Sequence, residues 1–192
     1  MKTLWEICEK DPKALHRRVE PSEVSECTEA IKKIHQALEE CDATNCFGLA
    51  ANQLGLNIRA CVLRIPSHYF KDKPKGETVV LEFYNPEIVE WSGSAMNQEW
   101  CYSLSPDDSY VVRRYSQIII RDAKNGFTGL SGVPAYAAQH EIDHLNGKLI
   151  SDKGTPAIDF INNAVGKIDG QAKNSLCKCG SGKKHKRCCG KP

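Results

Sequence analysis

His140-Glu141-Ile142-Asp143-His144 sets two imidazoles one helical turn apart with a carboxylate beside the first. At i and i+4 on an α-helix both rings leave the same face, and a rise of about 6 Å lets their nitrogens converge on one metal ion. Glu141 is turned about 100° around the axis, so it stays out of the ligand pair and is free to take a proton from a water activated at the ion. The spacing predicts a helix capped by Ser131, with Pro134 in its first turn, running through Leu145 and stopping at Asn146-Gly147.

An HExxH pattern by itself also occurs on ordinary surface helices, so the metal needs further ligands. Cys101, in Glu99-Trp100-Cys101-Tyr102-Ser103-Leu104, supplies one. A thiolate with two imidazoles is a three-ligand set that leaves the fourth position open. Upstream, Cys46-Phe47-Gly48-Leu49-Ala50-Ala51-Asn52-Gln53 is a tract of small residues whose main chain can approach a substrate closely, and Gln53 adds a neutral side-chain donor.

These three segments, in this order, resemble peptide deformylase, whose pattern is GxGLAAxQ, then EGCLS, then HExDH. The resemblance runs from about Asp11 to Asp152. Cys46 replaces the first glycine, Trp100 the glycine before the metal cysteine, and Tyr102 the usual leucine. No ligand is lost, so the departures bear on substrate fit rather than on chemistry.

The resemblance implies an α+β fold, with antiparallel sheets around a central HExxH metal-binding helix. It implies a hydrolase that removes the formyl group from formyl-methionyl nascent peptides. Cys101, His140 and His144 would hold the catalytic ion, with Glu141 as proton acceptor and donor. Gln53 and the main-chain N–H of Tyr102 would stabilise the developing oxyanion. Phe47, Gly48 and Leu49 would pair with the substrate backbone as an added strand. Tyr136 and Ala137, one turn before the ligands, are candidates for the methionine pocket, although ordinary core packing also explains them. Asp143 is expected to pair with Arg114, and Glu99 to orient the cysteine loop. Deformylases commonly work with Fe(II), which is the ion expected here, with Zn, Ni or Co as substitutes.

Composition narrows the alternatives. The 192 residues suit one core and an appendage, and a net charge of +2 steers nothing by itself. No apolar run reaches the length of a membrane span, and residues 1–12 mix both charges, so no membrane contact and a cytoplasmic location are expected. Ten cysteines without a secretory pattern point away from a disulfide framework. A zinc endopeptidase shares HExxH but usually takes its third ligand downstream of the helix. A catalytically dead adaptor built around the C-terminal tail has no chemical reason to keep Glu141 with the ligands.

Along the chain, Val24, Cys27, Ile31, Ile34, Leu38 and Cys41 predict an amphipathic helix over 23–41 with Ser22 as cap. Strands are expected at 58–65, 78–84, 88–91, 110–114, 117–122 and 127–130, with an exposed loop at 68–76. Residues 1–152 thus read as the catalytic domain and 153–174 as a short helix with a linker.

Residues 175–192 form a cysteine-rich tail too short to bury a core. Cys177, Cys179, Cys188 and Cys189 suit a closed tetrahedral zinc site of structural type. The segment resembles the SEC-C motif. Lys173, Lys178, Lys183, Lys184, Lys186, Arg187 and Lys191 make it basic, with no acidic residue after Asp169. Such a cluster either solubilises the tail or docks it on a polyanion such as ribosomal RNA.

Overall fold

The computed structural model describes residues 3–40, 46–161, 176, 179, 181–184, 187 and 188. Two single-turn helices lead the chain, α1 (Leu4–Ile7) and α2 (Pro12–Leu15), the second capped by Asp11, which accepts the Lys13 N–H. The amphipathic pattern then produces α3 (Val24–Glu40), burying Cys27, Ile31, Ile34 and Leu38 on one face. Ser22 is not its side-chain cap. The Ser22 hydroxyl instead accepts the Arg59 N–H at 3.2 Å, and Glu23 N–H turns to Glu26. Cys41 lies outside the described residues.

Among the described residues eight strands lie between α3 and the HExxH helix: β1 (Gly48–Ala50), β2 (Ala60–Pro66), β3 (Thr78–Tyr84), β4 (Glu87–Ser92), β5 (Ala95–Glu99), β6 (Tyr110–Arg114), β7 (Gln117–Asp122) and β8 (Gly126–Ser131). One antiparallel sheet has the order β1-β2-β3 and a second β4-β7-β8, while β5 and β6 form an antiparallel hairpin. Strand β5 was not expected from sequence. The turn between β7 and β8 is held by Asp122, whose carboxylate accepts the N–H groups of Lys124 and Asn125.

Helix α4 (Val133–Leu145) carries the HExxH residues, with Pro134 in its first turn. Ser131 is the last residue of β8 rather than the cap. Gly132, at φ 61°, takes the cap position, a left-handed conformation that glycine adopts without cost. Ala135, Ala138, Ile142 and Leu145 pack with Leu63, Ile65, Phe83, Ile118, Ile120 and Leu130. One apolar cluster therefore joins both three-stranded sheets to α4, and each fully buried aliphatic adds ~1.5–3 kcal/mol of transfer free energy. Small side chains on α4 let it lie close to β1. Its last carbonyls are satisfied by Asn52 Nδ2 on His144 O at 2.7 Å and Arg59 Nη1 on Leu145 O at 3.2 Å.

A final turn, α5 (Ile150–Lys153), closes the first compact unit at Gly154. The second unit spans Thr155–Pro192. In it, residues 157–161 are helical, and 162–174, the rest of the expected short helix and linker, lie outside the described residues. Leu176 and Lys184 form an antiparallel bridge. Among the described residues no helix is long and apolar enough to cross a membrane.

Candidate active site

Helix α4 delivers both imidazoles to one point, and the loop after β5 delivers the sulfur. His144 Nε2 lies 3.3 Å from His140 Nε2 and 3.2 Å from Cys101 Sγ. Donors about 2.0–2.3 Å from an ion at tetrahedral angles sit ~3.3–3.6 Å apart, so this set, with Cys101 and His144 buried and His140 half-buried, fits a divalent metal. Burial disfavours the Cys101 thiolate, but the two imidazoles overcome it and hold the thiol well below its ordinary range. The Ser103 N–H at 3.4 Å also supports the sulfur.

The three converging side chains are braced from behind. Glu99 Oε2 accepts from His140 Nδ1 at 2.9 Å, which aims the opposite nitrogen at the triad. The same carboxylate takes two hydrogen bonds from Arg114, at 2.7 Å from Nε and 2.7 Å from Nη2. Arg114 also pairs with Asp143, as expected, and Lys153 completes the chain on Asp143. Burial works against ionisation of Glu99, yet the Arg114 and His140 hydrogen bonds prevail and hold its carboxyl at about 2. Glu99 therefore steadies the His140 imidazole, and its two bonds to Arg114 also fix the chain two residues before Cys101.

Glu141 is buried beside the triad, and its Oε2 has no hydrogen-bond partner among the described residues. Burial raises its pKa above the ordinary carboxylate value, with the neighbouring imidazoles opposing. A Cβ built on Gly48 would lie 2.7 Å from Glu141 Oε1 and 2.8 Å from its Cγ, so only glycine leaves the carboxylate this position. Gln53 is fixed by the Ala50 N–H on its Oε1 at 2.9 Å, and its Nε2 faces Ser103 Oγ at 3.3 Å and Cys101 Sγ at 3.9 Å.

A cavity of about 720 Å³ opens over these groups. Phe47, Gly48, Gln53, Tyr102, Tyr136, Ala137, His140 and Glu141 line it. Leu49 does not. Strand alternation turns its side chain into the α3 cluster, where it is fully buried, so Leu49 offers the cavity no side chain. Strand β1 is an edge of its sheet, which leaves a main-chain edge for an added strand. Cys46 also lines the cavity, its sulfur 3.0 Å from Gly48 O, and burial pushes its thiol up to about 12.

The N-terminal segment is a wall that sequence reading did not foresee. Trp5 lines the cavity, and its Nε1 donates to Leu104 O at 2.6 Å. Lys10 Nζ donates to the carbonyls of Trp5, Cys8 and Tyr102. Asn52 was also missed as a support of α4. Neither contact has a local signature, since each joins residues far apart in the chain.

In the tail, Cys179 Sγ lies 3.3 Å from Cys188 Sγ and Ser181 Oγ lies 3.2 Å from Cys188 Sγ. Cys177 and Cys189, the other two expected ligands, lie outside the described residues.

A family model described as polypeptide deformylase matches residues 4–158, and one for the SEC-C motif matches residues 174–191. Peptide deformylase of Helicobacter pylori (strain G27) is 36% identical over 130 residues, a match spanning 63% of this chain and 72% of that relative. The crystal structure of peptide deformylase from Ehrlichia chaffeensis matches with a TM-score of 0.64 at 25% identity, over 89% of this chain and 98% of its own. The Met-Ala-Ser-bound class I type b enzyme from Acinetobacter baumannii gives a TM-score of 0.62 at 27% identity, over 77% and 96% of the two chains. With most of its length matched by the family model and its fold shared with these enzymes, the chain belongs to the polypeptide deformylase family of metal-dependent hydrolases.

Proposed function

We propose that this chain hydrolyses the formyl group from the N-terminal formyl-methionine of nascent polypeptides, releasing formate and a free amine. The observation that carries the reading is the convergence of Cys101 Sγ and both Nε2 atoms beside a buried carboxylate with an unpartnered oxygen. A divalent ion held by Cys101, His140 and His144 would supply the Lewis acidity that makes water a nucleophile at neutral pH. Glu141 takes the proton of the attacking water. It later gives that proton to the departing nitrogen as the carbon–nitrogen bond breaks. Gln53 Nε2 and the Tyr102 main-chain N–H donate to the formyl oxygen as charge builds there. The edge of β1 takes the substrate main chain at Phe47, Gly48 and Leu49, and Tyr136 and Ala137 wall the methionine side chain.

The reading assigns this work to residues 1–152 and to the cytoplasm, where formylated chains emerge. Ferrous iron is assigned to the catalytic triad and zinc to Cys177, Cys179, Cys188 and Cys189, with residues 153–174 as connector. The basic tail is read as a dock for ribosomal RNA, supported by its excess of lysine and arginine. Formate release from formyl-Met-Ala-Ser, followed anaerobically with each ion in turn, tests the catalytic part. Turnover with Fe(II) above that with Zn is expected, and equal or faster turnover with Zn would contradict the iron assignment.

A further inference from the structure

The loop that delivers the metal cysteine carries a large aromatic where the family pattern has glycine. Trp100 lines the cavity and is 60% exposed. Trp5, brought in by the N-terminal segment, lines the same cavity and is 37% exposed. Its ring is not loose: Nε1 is bonded to Leu104 O, Lys10 Nζ lies 4.8 Å from the ring centroid, and Lys10 ties the segment to Tyr102 O. A polar staple therefore holds an apolar face rigidly at the rim of the site, which lowers the entropy cost of binding a side chain against it.

The edge of β1 fixes what that side chain is. A peptide added there alternates its side chains between two sides. With methionine directed at Tyr136 and Ala137, the next side chain turns the other way, out of the methionine pocket and towards the rim. We infer that Trp5 and Trp100 form a specificity subsite for the residue that follows methionine, favouring aromatic and large aliphatic side chains over small or acidic ones. This rests on the deformylase reading and adds to it a substrate preference set by residues outside the shared motif.

The test uses the ion-loaded full chain and formate release from formyl-Met-Xaa-Ser, with Xaa as Phe, Leu, Ala or Asp. Aromatic contact predicts kcat/KM for Phe roughly three- to ten-fold above Ala, expressed mainly in KM, with Asp lowest. Trp100→Gly, which restores the glycine of the pattern at an exposed position, should flatten the series, and Trp5→Ala should reduce it. Phe127→Ala, an exposed aromatic outside the cavity, should leave the series unchanged. Binding of the product peptides Met-Phe-Ser and Met-Ala-Ser, read by tryptophan fluorescence, should show the same order without turnover. Formate release with no Phe-over-Ala preference, or with the same preference in Trp100→Gly, would overturn the subsite alone. No formate from any peptide would overturn the deformylase reading and the subsite with it.

Discussion

Gly48 decides where Glu141 stands. The added methyl of Gly48→Ala would meet the carboxylate at 2.7 Å and Leu63 at 2.8 Å, so the acid must leave its present position. A displacement near 1 Å at a reacting group costs up to ~100-fold in rate, so kcat is expected to fall by about 10- to 100-fold while the ion content stays unchanged. Steady-state kinetics beside metal analysis checks this, and an unchanged kcat would show that the contact is irrelevant. The convergence of Cys101, His140 and His144 was legible because i, i+4 spacing is a local rule and a thiol is a natural partner for two imidazoles. The small residues at 48–51 were legible as a place of close approach, but what approaches is partly the enzyme's own Glu141. Leu49 was named for its main chain, and the burial of its side chain in the α3 cluster leaves that role open to it.

Arg114 connects two elements, reaching from β6 to Glu99 at the end of β5 and to Asp143 on α4. It is 1% exposed, so Arg114→Leu would strand Glu99, itself 7% exposed, without its cation. Breaking a buried pair in this way costs ~3–5 kcal/mol, which urea denaturation would read as a lower midpoint. A variant of unchanged stability would mean that the network contributes nothing. The β-branched pair Val111-Val112 beside Tyr110 made β6 legible in the sequence, whereas β5 was not. Ala95-Met96-Asn97-Gln98-Glu99 has no apolar alternation, because the buried face of its last residue is a carboxylate neutralised by an arginine far along the chain. Pairing across β5 and β6, with Asn97 opposite Val112 and Glu99 opposite Tyr110, is a tertiary fact that local propensity does not encode.

Across the whole molecule, the chain divides into two compact units, each with its own cysteines. The first unit holds the catalytic triad and cavity, so a chain ending at Asp169 should deformylate a tripeptide at the full-length rate. Its co-sedimentation with ribosomes should be weaker than that of the full chain, and the full chain's binding should fall as salt rises. Equal, salt-insensitive binding by both would remove the docking role. The tail's motif was legible because it is short and contiguous, while the N-terminal wall at Trp5 and Lys10 was not, since its partners lie 99 and 92 residues away. The central claim is that Glu141 moves the proton for an ion held by Cys101, His140 and His144, and it is met most directly by formate release from formyl-Met-Ala-Ser in the iron-loaded chain and in Glu141→Gln. Loss of at least ~100-fold in kcat with the catalytic ion still bound is the expected result. Turnover by Glu141→Gln at the wild-type rate, or no formate from the loaded wild-type chain, would contradict it.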